Sequence, residues 1–177
     1  SPNEKSYIEY AQATKDKKNP VSYSIENGTL TLKEAGNTGA SYYINVDISF
    51  LQAALSSKNI EDYTKESSKY ENYVTLYLPK DKLVSSAKIY LGYGDFYVKN
   101  ATFDTTNIKL DDGDFDANTL TANSGKLTFS YGDCDLQKAS LGNISLTSKD
   151  GDLTVNELTL SGKTKIALSY GDTEITL

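Results

Sequence analysis

The sequence predicts an all-β fold: a single-stranded parallel β-solenoid of about five coils, each with three short strands and 19 or 20 residues. The first observation behind this prediction is a Gly-Asp pair that recurs at steps of 19, 19, 19 and 20 residues. The glycines of these pairs are Gly94, Gly113, Gly132, Gly151 and Gly171. The second observation is a period-two alternation of apolar and polar residues on both sides of each pair, which is typical of strands. The glycines are therefore expected to form corners with positive φ.

Apolar residues return at the same places in every coil and define the expected core. Five residues before each glycine stand Ile89, Ile108, Leu127, Leu146 and Ile166. Among 28 equivalent inward positions, only Ser148 and Thr173 are polar. Coils stacked about 4.8 Å apart would bring like side chains together, and each large apolar residue contributes roughly 1.5–3 kcal/mol on burial. Cys134 lies in one of these columns, so we expect a small buried hydrophobe and not a reactive thiol.

The segment before the repeats predicts antiparallel strands. Asn27-Gly28 stands between two alternating runs and is a strong hairpin signal. This hairpin region is expected to cap the first coil, because a solenoid needs a cover on its end. The chain is then one domain with N-terminal strands and cap at 1–50, an insert at 51–70 and the repeat coils at 71–177.

Four further elements are expected in this N-terminal half. Tyr7–Tyr10 predicts a first strand and Ile44–Phe50 a long alternating strand. Leu51–Tyr70 lacks the strand pattern and is expected to be a loop with a short helix. Val74–Leu78 predicts another strand, which ends at Pro79 because proline interrupts strand pairing.

The composition excludes several classes of function. The chain has no His and no Trp, all 18 basic residues are Lys, and the net charge is −6. The lack of His and Arg removes the commonest proton-transfer and anion-binding groups, so we expect no enzyme activity. The negative charge argues against nucleic acid as a partner. No apolar run approaches the ~20 residues that a membrane span requires, and the N-terminus does not read as a signal peptide.

The aspartates after the glycines would stack at one corner and repel one another. We expect their carboxylates to accept backbone N–H groups of the turns, which would offset this repulsion. Calcium bound along the edge is the alternative, since this ion takes several carboxylate oxygens; otherwise no cofactor is expected. The acidic turn at 111–116 resembles the paired carboxylates of a glycoside hydrolase, but a solvated acidic turn explains it without catalysis.

A family resemblance rests on three features in this order: the hairpin at 25–30, the strand that ends in Leu-Pro-Lys-Asp at 78–81, and the coils with a Gly-Asp corner. Over residues 21–177 the chain resembles the bacterial adhesin-type domains of unknown function. The resemblance implies an extracytoplasmic β-solenoid of the bacterial cell envelope, anchored in the full-length protein by a transmembrane segment. It also implies a connection with adhesion or envelope-stress signalling and no catalytic residues. The Tyr or Asp before each glycine differs from the small residue usual in the family.

Outward tyrosines and threonines form the candidate partner surface. Its residues are Tyr90, Tyr93, Tyr97, Thr102, Thr121, Tyr131, Thr159 and Tyr170. Tyrosine is a frequent contact residue because it is amphipathic and has few rotors, so a cell-surface protein or a glycan is the expected ligand. Strand propensity and cross-strand stacking explain the same residues in a purely structural spacer. A threonine column also orders water in ice-binding solenoids, although paired threonine columns are missing here.

The last coil ends after its second strand and predicts an unpaired parallel edge. The unpaired N–H and C=O groups of such an edge are expected to pair with another strand. This strand would come from a second copy in a homo-oligomer, from a continuation of the chain or from another partner. Contact with a membrane is expected only through a segment outside this chain.

Overall fold

A computed structural model describes residues 7–12, 21–34, 42–47, 62–66, 73–77 and 82–177. These residues are all-β, and none of them forms a helix of the length and apolarity that a membrane crossing requires. The described strands are β1 (Tyr7–Gln12), β2 (Val21–Glu26), β3 (Thr29–Glu34), β4 (Tyr42–Asp47), β5 (Asp62–Glu66), β6 (Tyr73–Tyr77), β7 (Leu83–Leu91), β8 (Phe96–Leu110), β9 (Phe115–Tyr131), β10 (Cys134–Asp150), β11 (Leu153–Val155), β12 (Leu158–Leu160), β13 (Lys165–Tyr170) and β14 (Thr173–Ile175).

Strands β7 to β14 wind into the predicted parallel solenoid. Residues 19 apart are partners in neighbouring coils, as in the pairs Phe96 with Phe115 and Ile108 with Leu127. Each of the first four coils contributes one segment to each of three faces, and the fifth coil contributes to the first and second faces. The first face contains 86–91, 105–110, 124–129, 143–148 and 165–168. The second contains 96–98, 115–117, 134–136, 153–155 and 173–175. The third contains 101–103, 120–122, 139–141 and 158–160. The predicted fold class is therefore confirmed.

The predicted inward columns form one continuous core. Ile108, Leu127 and Leu146 are all fully buried in a single column. Three phenylalanines stack between coils, with ring centroids 5.6 Å apart for Phe96 and Phe115 and 5.0 Å for Phe115 and Phe129. Cys134 is also buried, and burial raises the pKa of its thiol, as expected for a small hydrophobe and not a nucleophile.

The strands are longer than predicted. In the middle coils the third-face strand continues without a break into the first-face strand of the next coil, so β9 and β10 each have 17 residues. In the described coils the expected short strands are separate only after β10: β11 and β12 lie on the second and third faces of the fourth coil, and β13 and β14 lie on the first and second faces of the fifth coil. The continuous strands add an inward column that the apolar pattern does not contain, with Ala87, Thr106 and Ile144 buried at 1% exposure each.

The N-terminal hairpin is confirmed and extends the core. Asn27 and Gly28 both have positive φ, 50° and 78°, which suits the tight turn between antiparallel β2 and β3. Strand β3 pairs with β4, and β4 pairs antiparallel with β7 of the first coil. Leu30, Leu32 and Val46 are buried in the same cluster as the solenoid core, so the hairpin continues the first face.

A separate three-stranded sheet corrects one prediction for the insert. Strand β1, expected from the sequence, pairs in parallel with β5 and antiparallel with β6. The expected loop with a short helix is therefore wrong at β5, where the backbone is extended and paired. The expected strand at Val74–Leu78 is confirmed through Tyr77. The remaining predictions for 48–61, 67–72 and 78–81 lie outside the described residues.

Candidate functional site

The glycine corner joins the first and second faces and fixes the spacing of the coils. Gly113 and Gly132 have φ of +131° and +114°, a region that favours glycine. A Cβ atom on Gly132 would lie 2.4 Å from the carbonyl oxygen of Gly113 in the coil before it. The predicted positive-φ corner is confirmed, and glycine is needed there both for its conformation and for the close approach of successive coils.

The aspartates that follow the glycines form a hydrogen-bonded ladder. The backbone N–H of Asp114 donates to Asp95 Oδ1 at 3.0 Å, and the N–H of Asp133 donates to Asp114 Oδ1 at 2.9 Å. The same bond joins Asp152 to Asp133 at 2.9 Å and Asp172 to Asp152 at 2.8 Å. The expected acceptance of turn N–H groups is confirmed, so each carboxylate ties its coil to the next one.

The second face beside this ladder is acidic. Asp116 and Asp135 are register partners on its outer surface. Desolvation raises the pKa of Asp116, with Asp135, Asp114 and Asp95 adding like-charge repulsion. Among the residues that the structure describes, no group of three or more His, Cys, Asp or Glu side chains is arranged to hold a metal ion. Calcium binding along this edge stays a prediction, which titration of the protein with Ca²⁺ would test.

Three exposed tyrosines stand on the glycine corner, one residue before the glycine in every second coil. Tyr93, Tyr131 and Tyr170 are 75%, 61% and 74% exposed. The coils between them place an exposed aspartate at the same position, and Asp150 is the register partner of both Tyr131 and Tyr170. The tyrosines therefore recur after two coil spacings, about 9.6 Å. We call Tyr93, Asp112, Tyr131, Asp150 and Tyr170 the tyrosine corner.

Tyr90 lies on the first face and is held by its neighbours. Its hydroxyl donates to Asp111 Oδ2 at 2.8 Å, and Lys109 Nζ lies 5.0 Å above its ring. Lys109 Nζ also contacts Asp111 Oδ1 at 2.7 Å. The hydrogen bonds from Lys109 and Tyr90 lower the pKa of Asp111, whereas the bond to Asp111 raises the pKa of Tyr90 and of Lys109. Tyr90 is thus half-buried within a local network.

The remaining predicted residues lie on the two other faces. Tyr97 is on the second face, where its hydroxyl accepts a hydrogen bond of 2.8 Å from Asn118 Nδ2. Thr102 pairs with Thr121 on the third face, and Ser140 pairs with Thr121 and Thr159. The structure therefore brings together three of the eight candidate residues at the tyrosine corner and distributes the other five over three faces.

Sequence reasoning did not assign Asp112 and Asp150 to the candidate surface. The sequence pattern that indicates these two residues is the alternation of Tyr and Asp at the position before each glycine along the chain. Because residues at one coil position stack directly, this alternation becomes a row of aromatic and carboxylate groups on one edge.

Comparison with known proteins gives one match. The Toastrack DUF4097 family, a domain family of unknown function, matches residues 1–177. Searches of curated proteins and of solved structures found no match. Since the match spans the whole chain, this protein belongs to the Toastrack DUF4097 family.

Proposed function

We propose that this domain is a non-catalytic binding module of a bacterial cell-surface protein and that the tyrosine corner contacts its ligand. The observation that carries the proposal is the row of three tyrosines, each more than 60% exposed, at alternate coils of one edge. Large exposed aromatic residues in a row are costly to present to water and useful for contact. The extracytoplasmic location and the adhesin-like or envelope-stress role come from the resemblance.

The chemistry of the corner favours a glycan or a protein loop rather than a small charged ligand. Tyrosine rings stack on sugar faces or pack against side chains, and carboxylates such as Asp112 and Asp150 accept hydrogen bonds from hydroxyl or amide groups. The parallel coils hold these groups at fixed spacings, so little conformational entropy is lost when a ligand binds. No cofactor is part of the proposal.

Catalysis at the acidic turn is not part of the proposal either. A general acid in glycoside cleavage needs a raised pKa, so that it carries a proton near neutral pH. The pKa of Asp111 is instead lowered by Lys109, with which it forms an ion pair. Asp111 is therefore suited to a structural ion pair. Asp116 of the same turn has a raised pKa, but it lies on the outer surface of the second face with Asp135 as its register partner, and no Arg or His accompanies it.

Arrays of glycans and of cell-surface proteins test the proposal. We expect at least one ligand whose binding falls ten-fold or more in Tyr131→Ala, because the central tyrosine contacts it directly. Tyr97→Ala is the matched control: Tyr97 is 57% exposed but lies on the second face, so its replacement should change binding less than two-fold. Equal effects of both changes would contradict the assignment of the corner.

A structural spacer is the second candidate. The hydrophobic core runs without interruption from the hairpin through the coils, as a rigid rod requires. Arrays that detect no ligand dependent on Tyr93, Tyr131 or Tyr170 would favour the spacer.

A further inference from the structure

The first face carries an outward lysine in four of its five coils, although the chain as a whole is acidic. These lysines are Lys88, Lys109, Lys126 and Lys165. All four are exposed and alternate with inward core residues, as in β7, where buried Ala87 and Ile89 flank Lys88. The carboxylates instead concentrate on the glycine corner and the second face. The prism therefore has a basic side and an acidic side.

The basic character is strongest at the edge of the first face that lies away from the glycine corner. Lys88, Lys126 and Lys165 each stand six residues before the glycine of their coil. The extended strand from Lys126 to Tyr131 spans five residues, about 16 Å. This distance is about two Debye lengths at physiological ionic strength, so the corner carboxylates are largely screened from these lysines.

Nearby carboxylates modify this picture at two places. Asp111 is paired with Lys109 and cancels its charge. Asp47 of β4 and Glu26 of β2 extend the same face on the hairpin side, on either side of Thr29.

Lys88, Lys126 and Lys165 lie in one column of the face, because Asn107 pairs with Lys88 and Lys126, and Ser145 pairs with Lys126 and Lys165. We call these three residues the lysine patch.

Short side chains surround Lys126 and Lys165. Asn107 and Ser145 occupy the coils beside Lys126 in its own column, and Thr128, Thr147 and Ala167 occupy the next column. The ammonium groups therefore extend beyond their neighbours. Lys126 and Lys165 are two coil spacings apart, about 9.6 Å, so they do not converge on one small anion. An extended anionic surface meets them all at once.

We propose that the first face docks on an anionic lipid bilayer through the lysine patch. Juxtamembrane lysines gain about 1 kcal/mol each near such a surface. A single-stranded nucleic acid is less suited, because its bases stack on aromatic platforms, and the outward positions around Lys126 and Lys165 hold Ser, Thr, Asn and Ala. This contact is independent of the tyrosine corner and differs from the sequence-based expectation that membrane contact needs a segment outside this chain.

Co-sedimentation of the protein with vesicles tests the proposal. The probes are vesicles of phosphatidylcholine alone and of an equimolar mixture with phosphatidylglycerol. We expect binding to the mixed vesicles only, and weaker binding as sodium chloride is added. The double variant Lys126→Gln/Lys165→Gln should bind roughly 10- to 30-fold more weakly, as the loss of two lysine contacts implies.

The matched control is Lys99→Gln/Lys138→Gln. Both residues are exposed but lie outside the first face, and each double variant changes the net charge from −6 to −8. The control should weaken binding less than three-fold. Equal losses in the two variants would show that net charge alone acts, and binding to neutral vesicles would show that the contact is not electrostatic. Binding to soluble dextran sulfate without binding to mixed vesicles would assign the face to a polymer. Each of these results, or no binding at all, overturns the proposal.

Discussion

The interior coils and the terminal coil follow the same sequence pattern but differ in burial. Leu141 and Leu160 occupy the same column, yet Leu141 is 1% exposed and Leu160 is 48% exposed. In another column Phe129 is 1% exposed and Leu168, two coils further on, is 38% exposed. The burial of these inward positions therefore depends on a segment of chain that lies over them: Leu158, in the same strand as Leu160, donates its N–H to the Thr176 carbonyl oxygen at 2.9 Å and is 4% exposed. The energy of each coil depends on its neighbours, as in other repeat proteins.

The first coil shows the same rule at the other end. Ile89 and Leu91 on the first face are 4% and 9% exposed, because β4 of the hairpin pairs with their strand. On the other two faces Val98 and Phe103 are 6% and 5% exposed, whereas Phe96 and Ala101 are only partly buried. The hairpin thus covers the first face of the first coil, and Phe96 and Ala101 are the less covered positions of this coil. Changes that contrast interior with terminal positions test this rule.

The largest effect is expected at the glycine corner. Gly132→Ala should destabilise the protein by about 4 kcal/mol or more, because the new Cβ is strained at φ +114° and meets the Gly113 carbonyl oxygen at 2.4 Å. Gly94→Ala in the first coil has comparable strain at φ +100° but meets nothing within 4 Å, so it should cost only about 1–3 kcal/mol. Denaturant unfolding measures both, and equal losses would contradict the close approach of coils.

Leucine truncation should give the next largest difference. Leu141→Ala leaves a cavity in the core and should cost about 3 kcal/mol of unfolding free energy. Leu160→Ala removes a side chain that is already half exposed and should cost less than about 1 kcal/mol. Thermal and denaturant unfolding compare the two variants. A loss at Leu160 as large as at Leu141 would mean that another segment covers the end.

Removal of one aspartate of the ladder should have a smaller effect. Asp133→Ala breaks the hydrogen bond from the Asp152 N–H and should cost about 0.5–1.5 kcal/mol. Asp133→Asn keeps an acceptor oxygen and removes repulsion, so it should be at least as stable as the wild type. Asp172→Ala serves as the terminal control, since its carboxylate accepts no hydrogen bond from a described residue. A stability loss at Asp172 equal to that at Asp133 would contradict the ladder.

The smallest effect is expected from the acidic second face and depends on pH. The raised pKa of Asp116 means that the folded protein binds this proton more tightly than the unfolded chain. Its contribution to stability is therefore present below the ordinary aspartate pKa and lost as pH rises through the raised value. Asp116→Asn should increase stability slightly at pH 7, since the site is solvent-exposed, and the gain should vanish near pH 3. A gain that is independent of pH would exclude this electrostatic cause.

Much of the solenoid could be predicted because its information is local and repeated. A period of two identifies strands, and a period of 19 identifies the residues that stack, so columns such as that of Leu127 follow from the sequence. The column of Ala87, Thr106 and Ile144 could not be found in this way, because Thr106 and Gly125 interrupt its apolar character. Strand β5 was missed because Asp62–Glu66 has no apolar alternation, and its extended form depends on pairing with β1.

The surfaces were less predictable than the core. The tyrosines were visible in the sequence, but their division between the corner and three faces depends on the number of residues in each turn. The first-face lysines stand six or four residues before the glycine, and the column at six residues alternates Lys with Asn107 and Ser145, so an alignment of the repeats shows no continuous column of lysines. Only the inward or outward direction of each position places them on one face.

The central claim is that consecutive coils stack in register, and methyl-to-methyl nuclear Overhauser effects test it most directly. Ile108, Leu127 and Leu146 are successive members of one buried column. We predict strong cross-peaks between Ile108 and Leu127 and between Leu127 and Leu146. No cross-peak is expected between Ile108 and Leu146, which lie two coils apart. The absence of both neighbouring cross-peaks, or a direct one between Ile108 and Leu146, would contradict the stacked solenoid.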